Sequence, residues 1–209
     1  MAWVMLAALL CVAALVVTTL CAGGGGAAPD DSPLARTLDW QPALGLHQPW
    51  RLWTCAWVHG SAAHLLVNVA GAIVVAFVGW RGRLPAAAAL AWFAAWPLVH
   101  VLMAGIGAER LAAAMPRYDG LSGVLHAGGV VAGLALAWPP AGRPSRERWI
   151  GVVIVAGTLT KVAFEAPWDL APRPSAALGI AVAPVAHACG IAAGVLAWGV
   201  MRLARQRHA

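Results

Sequence analysis

A serine between two glycines opens one of the long apolar stretches of the chain, and its hydroxyl is the first candidate for chemistry. The stretch begins Tyr118-Asp119-Gly120-Leu121-Ser122-Gly123-Val124-Leu125-His126. Glycine has no side chain, so a helix or a substrate backbone can approach Ser122 closely from either side. A hydroxyl is a weak nucleophile without a base. Ser122 therefore needs a base and oxyanion donors from other parts of the chain.

The candidate base is His187, in the last apolar stretch. His187, Gly190 and Gly194 follow one another at spacings of three and four, which puts them on one face of a helix. Gly190 and Gly194 form a pattern that permits close helix contact. If this face packs against the glycines that flank Ser122, His187 lies beside the serine at a similar depth. We therefore expect Ser122 to be the nucleophile and His187 the general base and acid.

Two further polar residues, His64 and Asn68, are four apart and share one helix face. An asparagine inside a spanning helix is costly without a partner. One interpretation is an interhelical hydrogen bond that holds the bundle together. The other is an oxyanion site, since both side chains can donate, together with the N–H groups at the start of the Ser122 helix.

Three other polar residues, His126, Lys161 and Glu165, each have more than one interpretation. His126 follows Ser122 by four residues, but side chains on one helix point in parallel, which favours a supporting or substrate-contacting role over that of base. Lys161 and Glu165 are also four apart and predict an ion pair; alternatively, Glu165 meets a basic feature of a substrate. Asp119 precedes Ser122 too closely to orient His187. We therefore expect a dyad without a third carboxylate.

Composition places these residues in a membrane. Of 209 residues, 61% are hydrophobic and 11% charged, which is typical of a polytopic membrane protein. A spanning helix needs about 20 residues, and six stretches qualify as one all-α domain over residues 1–209. They are residues 2–21, 59–80, 84–107, 121–138, 149–165 and 178–203. The longest connection, an outer loop over 30–58, is rich in tryptophan, as interfacial segments are.

The charges predict the orientation. With the N-terminus inside, the inner loops hold eight basic residues and a single acid, Glu147. The basic residues are Arg81, Arg83, Arg143, Arg146, Arg148, Arg202, Arg205 and Arg207. This asymmetry follows the positive-inside rule, puts both termini in the cytoplasm and turns the Ser122 end outward. The basic pI thus reflects topology and gives no reason to invoke nucleic acid. We expect residues 2–21 to be a retained helix, not a signal peptide.

Three patterns now occur in order: His-x-x-x-Asn, Gly-x-Ser-Gly and His-x-x-Gly-x-x-x-Gly. Together they resemble the rhomboid family of intramembrane serine proteases, over residues 50 to 194, which implies a six-helix rhomboid-like bundle. The stretch from Gly120 to His126, the Lys161 to Glu165 segment and the Ala186-His187 pair resemble the rhombosortase branch. Many rhomboids have glycine two residues after the sixth-helix histidine, where this chain has Cys189.

The rhombosortase resemblance implies a substrate class. Its members are thought to remove a C-terminal signal, made of Gly-Gly, a membrane helix and a basic tail, from proteins exported by Gram-negative bacteria. It also implies a multi-pass protein of the inner membrane, in contact with lipid, whose active site opens to the periplasm. Whether the product is hydrolysed or transferred to a new amine stays open.

Two other functions fit parts of the sequence. An inactive rhomboid-like protein would bind and sort helices, although the Ser122 and His187 pair argues against it. A small transporter often shows internal repeats, and none is visible here.

No cofactor is implied, and without a HExxH motif no metal site is expected. The cysteines, Cys11, Cys21, Cys55 and Cys189, show no paired spacing, and we interpret them as packing residues.

Overall fold

The computed structural model describes residues 1–24, 28–139 and 146–206. Within those ranges the chain forms six long α-helices, three short α-helices, three single-turn 3-10 helices (Pro29–Asp31, Pro42–Leu44 and Cys55–Trp57) and one small β-hairpin. The long helices are α1 (Ala2–Ala22), α4 (Ala62–Arg81), α5 (Ala86–Gly105), α7 (Ser122–Ala137), α8 (Arg146–Phe164) and α9 (Pro184–Gln206). The short helices are α2 (Pro33–Leu38), α3 (Arg51–Thr54) and α6 (Ala108–Ala114). The hairpin pairs β1 (Arg173–Ser175) with β2 (Ile180–Val182) in antiparallel register.

Four of the long helices are long and apolar enough to cross a membrane: α1, α4, α5 and α9. The protein is thus a multi-pass, mainly α-helical membrane protein. Helix α7 is apolar but has only 16 residues. Helix α8 has 19 residues and is not among the four, because its sequence carries charges near both ends. The sequence predicts six spanning helices, of which these four meet the length and hydropathy required.

Two helix boundaries differ from the sequence prediction for identifiable reasons. Helix α4 begins at Ala62 and not at residue 59, because Ser61 caps it: the Ser61 hydroxyl oxygen accepts a hydrogen bond from the His64 N–H at 3.0 Å. Helix α9 begins at Pro184 and not at residue 178, because residues 178–182 belong to the turn and second strand of the hairpin. The Ser61 hydroxyl also donates to the carbonyl of Leu178, which ties the hairpin to the start of α4.

Helix α7 lies in the middle of the bundle, packed against α9, α8, α5 and α4. It consists almost entirely of small and aliphatic residues and is buried on most sides, as expected for a helix that is apolar all round. Small residues let its neighbours approach: the indole of Trp92 from α5 lies against Gly128 and donates to the carbonyl of Val124 at 2.9 Å. The serine at the first position of α7 is thus held inside the protein.

The outer loop is folded around a buried carboxylate. Asp39 is fully buried and forms an ion pair with Arg51 at 2.9 Å and a second one with Arg117, which lies in the segment before α7. The backbones of Trp40 and Tyr118 pair through two hydrogen bonds, of 2.9 and 2.8 Å. These contacts fix the segment that leads into α7 against the loop.

Candidate active site

The hydroxyl of Ser122 and the imidazole of His187 are in hydrogen-bonding contact. Ser122 Oγ lies 2.9 Å from His187 Nε2. Ser122 is the first residue of α7 and His187 stands in the first turn of α9, so the two helices present them at the same end of the bundle. His187 is only 4% exposed. A hydroxyl and an imidazole at this distance can exchange a proton during nucleophilic attack.

Glycines bring α7 and α9 close enough for this contact. Gly190 lies against the carbonyl oxygen of Gly123, and Gly194 lies against the backbone of Ala127. A methyl group at either α9 glycine would overlap these atoms. Helices α7 and α9 are therefore in close contact at these four residues, and His187 lies about one turn before Gly190 in α9.

Gly120 sets the direction in which the chain enters α7. Its φ angle is +109°, a conformation that residues with a side chain rarely adopt. Its N–H donates to the carbonyl of Cys55 at 2.9 Å, which ties it to the outer loop. The ring of His64 packs directly on it, and a methyl group there would lie 2.7 Å from His64 Cε1. Gly120 therefore permits both the turn and the approach of His64.

His64 and Asn68 stand on the face of α4 that looks toward Ser122, and both are buried. His64 Nδ1 and Asn68 Nδ2 have no hydrogen-bond partner among the residues described. A buried polar atom without a partner is rare and costs stability. The first N–H groups of α7 also lack acceptors within their own helix. These groups can together receive a negatively charged oxygen.

The position of Glu165 differs from the expectation that no carboxylate contacts the Ser122 and His187 pair. Its Oε2 lies 2.7 Å from His187 Nδ1, on the side of the ring opposite Ser122. Its other oxygen, Oε1, lies 2.6 Å from Lys161 Nζ, so the ion pair within α8 is present too. The sequence paired Glu165 with Lys161 or with a substrate; in the structure its two oxygens contact Lys161 and His187.

His126 contacts the backbone carbonyl of Ser122 and not its hydroxyl. Its Nδ1 lies 2.7 Å from the carbonyl oxygen of Ser122 and its Nε2 lies 3.1 Å from Lys161 Nζ. A carbonyl only accepts and an ammonium only donates, so the proton is on Nδ1 and the lone pair is on Nε2. The ring stacks on that of His187, with centroids 4.1 Å apart and planes inclined by 18°. Both ring nitrogens are therefore engaged in holding other groups.

All of these side chains line one cavity of about 930 Å³ between α4 and α8, with α7 behind it and the hairpin above. Its upper part holds the polar residues Ser122, His187, His64, Asn68, His126, Lys161 and Glu165. Its lower part is apolar and is lined by Val67, Gly71, Val74, Leu125, Gly129 and Ile154. Its rim carries Asp30, Arg117 and Asp119. The cavity thus combines a polar centre with an apolar extension along the helices.

Asp119, three residues before Ser122, is electrostatically unusual. Burial raises the pKa of its carboxyl from 3.8 to about 8; the charges of Asp30 and Asp39 add to this, and Arg117 opposes it. The carboxyl is therefore largely protonated at neutral pH. The carboxyl in contact with the His187 ring is that of Glu165.

Across the described residues, no group of three or more His, Cys, Asp or Glu side chains could hold a metal ion. All four cysteines are free thiols, and three of them are buried.

No protein-family model matches the chain, and no curated protein matches it either. Function must therefore be inferred from the contacts within this cavity.

Proposed function

We propose that the protein is an intramembrane serine endopeptidase of rhomboid type, built on six spanning helices, with Ser122 as nucleophile and His187 as general base and acid. The observation that carries the proposal is the 2.9 Å contact between Ser122 Oγ and His187 Nε2 at a cavity inside a membrane protein. A hydroxyl paired with an imidazole, with donors beside it, suits acyl transfer.

The proposed reaction has two halves. Ser122 Oγ attacks the scissile carbonyl while its proton passes to His187 Nε2, and a tetrahedral oxyanion forms. The C–N bond then breaks, and the imidazolium returns that proton to the leaving amine, which leaves an acyl-enzyme ester on Ser122. A water molecule, deprotonated by the same Nε2, attacks the ester; the C–O bond breaks and Ser122 recovers its proton.

The oxyanion is held by donors that are in place before the reaction. The side chains of Asn68 and His64 stand beside Gly120, and Asn68 Nδ2 and His64 Nδ1 have no partner among the described residues. Donors aimed at the position where charge develops stabilise the transition state more than the ground state. The N–H groups of the first turn of α7 add the positive end of the helix dipole.

The substrate proposed is a membrane protein with a C-terminal signal of Gly-Gly, an apolar helix and a basic tail. The apolar part of the cavity, between α4 and α8, suits a helix that enters from the lipid. Small residues next to the scissile bond suit the crowded centre, where His64 packs directly on Gly120. The Gly-Gly element itself comes from the resemblance to rhombosortases.

The orientation proposed has both termini in the cytoplasm of a bacterium and the site open to the periplasmic side of the inner membrane. Helices α7 and α8 complete the six spans; α7 can be short because protein surrounds it and its outer end faces a polar cavity. Alkaline phosphatase fused within residues 30–58 should be active, and fused after residue 206 inactive. The reverse result would invert the topology.

A fluorophosphonate probe tests the proposal on the purified protein without knowledge of the substrate. The wild type should be labelled covalently, and Ser122→Ala should not be. His187→Ala should be labelled at least about 10²-fold more slowly, because the hydroxyl loses its base. A folded wild type that is not labelled would favour the inactive, helix-binding alternative.

A further inference from the structure

We infer that Glu165 is a positioning residue for His187, so that the site works as a Ser122–His187–Glu165 triad held in place by Lys161 and His126. The inference rests on the proposed function, since it assigns a role within the same reaction. Its basis is the contact of 2.7 Å between Glu165 Oε2 and His187 Nδ1.

The contact determines which nitrogen of His187 carries the proton. An ionised carboxylate can only accept, so Nδ1–H donates to Glu165 and Nε2 keeps its lone pair toward Ser122 Oγ. That is the tautomer a general base requires. When Nε2 takes the serine proton, the positive imidazolium lies 2.7 Å from the carboxylate oxygen, which stabilises it. Glu165 acts through His187 and does not itself take the proton.

Glu165 is held by a closed ring of contacts through three helices. Lys161 Nζ binds the second carboxylate oxygen at 2.6 Å and reaches His126 Nε2 at 3.1 Å. His126 Nδ1 returns to the carbonyl of Ser122 at 2.7 Å, which closes the ring. An ion pair within α8 would need only one carboxylate oxygen and no partner on α9. The ring of contacts instead holds Ser122, His187 and Glu165 in fixed positions relative to one another.

The ring leads to a distinctive expectation for Glu165→Gln. Lys161 donates to the oxygen on its side, so the glutamine oxygen should face Lys161 and the NH₂ group should face His187. An NH₂ donor turns Nδ1 into the acceptor and places the proton on Nε2, which is the wrong tautomer. A wrong tautomer costs a serine protease about 10⁴-fold in turnover, and we expect a fall of about 10²- to 10⁴-fold here.

The second variant removes the constraint on the amide. In Lys161→Met/Glu165→Gln, the glutamine is free to turn its oxygen toward His187 Nδ1, which restores the productive tautomer. We expect the double variant to react at least about tenfold faster than Glu165→Gln alone. A residue that merely supports the fold would give the opposite order, because the double variant loses two polar groups. Glu165→Asp keeps the charge and should be affected less than Glu165→Gln.

The experiment measures the rate of fluorophosphonate labelling from pH 5 to pH 9 for the wild type and these variants. The ionisable groups around His187 are Ser122 and His126 on α7, Lys161 and Glu165 on α8, and His64 on α4. Without the carboxylate charge, the imidazolium is less stable, so the acid limb of the pH–rate profile should move to lower pH. Glu109→Gln, at an exposed site on α6, is the matched control and should match the wild type.

The outcomes separate the inference from the proposed function. Slower labelling of Glu165→Gln, recovery in the double variant and a shifted acid limb would support the triad. Wild-type rates and an unshifted profile in Glu165→Gln would overturn the triad and leave the dyad. If Glu165→Gln fails to fold, a double variant with an unshifted acid limb would also overturn it. A wild type that is not labelled would overturn the proposed function, and the triad with it.

Discussion

His64 and Asn68 keep polar atoms buried without partners in the described part of the chain. Each such atom costs about 1–3 kcal/mol relative to a satisfied one. Both stand on the α4 face that packs on Gly120, near Ser122. We interpret the two unpaired atoms as hydrogen-bond donors that are kept free for the oxyanion of the proposed reaction.

Asn68→Ala and His64→Ala should therefore each lower kcat by about 10²- to 10³-fold, with little change in KM, because the lost interactions form in the transition state. The measurement is steady-state cleavage of a membrane-embedded substrate. Leu66→Ala, at a lipid-facing position of α4, is the control and should match the wild type. A change confined to KM would indicate substrate binding in place of oxyanion stabilisation.

Asp119 should make stability depend on pH. Its pKa is raised from 3.8 to about 8 on folding. Between these values the unfolded chain has released the proton and the folded protein keeps it, so stability falls as pH rises through this window. Asp119→Asn removes the penalty and should raise the apparent Tm by about 2–4 °C at pH 8, with no gain at pH 4.

Thermal unfolding in detergent across this pH range measures the effect. Asp169→Asn, at an exposed position after α8, is the matched control and should leave the pH dependence of Tm as in the wild type. If Asp119→Asn and the wild type have the same Tm at every pH, the raised pKa of Asp119 is contradicted.

At the scale of elements, the packing of α9 on α7 determines whether the site exists. Gly190 and Gly194 lie on the backbone of α7, and the histidine that faces Ser122 is on the same side of α9. A shift of about 1 Å between reacting groups is enough to cost a factor of 10² in rate. We therefore expect the two glycines to affect the proposed activity without touching a substrate.

Gly190→Ala should push α9 away from α7, lower stability by about 1–3 kcal/mol and reduce labelling of Ser122 at least about tenfold. Gly199→Ala, in the same helix, is the matched control, because a methyl group there meets no described atom within 4 Å. Apparent Tm and labelling rate measure both effects. Equal behaviour of the two variants would contradict the role of this contact.

Helix positions could largely be predicted from the sequence, and the helix ends could not. Runs of apolar residues about 20 long predict α1, α4 and α5 within a few residues of their observed bounds. The start of α9 was placed six residues too early, because residues 178–183 are as apolar as a helix. Their strand pairing depends on Gly179, whose φ is +64°, and on the contact of Leu178 with Ser61. Both are features of the folded chain.

The site could be predicted in part for a similar reason. Spacings of three and four place His187 with Gly190 and His64 with Asn68, because those residues share a helix face. The same spacing argument joined Glu165 to Lys161 and missed its contact with His187. That contact depends on how α8 and α9 are placed around α7, which no local pattern in the sequence encodes.

At the scale of the whole molecule, the bundle gathers residues from four helices at one end of a single cavity. His64, Ser122, Glu165 and His187 come from α4, α7, α8 and α9, and the folded outer loop and the hairpin lie above them. The proposed deacylation needs a water molecule beside Ser122, and the polar centre of the cavity suits one. The apolar extension suits a helix that arrives from the lipid. Both features of the cavity support the proposed hydrolysis within a membrane.

Co-expression with a reporter that ends in Gly-Gly, an apolar helix and an arginine-rich tail tests whether the protein is a serine protease that cleaves such signals. Mass spectrometry of the reporter gives the cut site for the wild type, Ser122→Ala and His187→Ala. We expect the wild type to remove the tail at or near Gly-Gly and both variants to leave it intact. Cleavage at the same site by Ser122→Ala would contradict the claim that this protein is a serine protease.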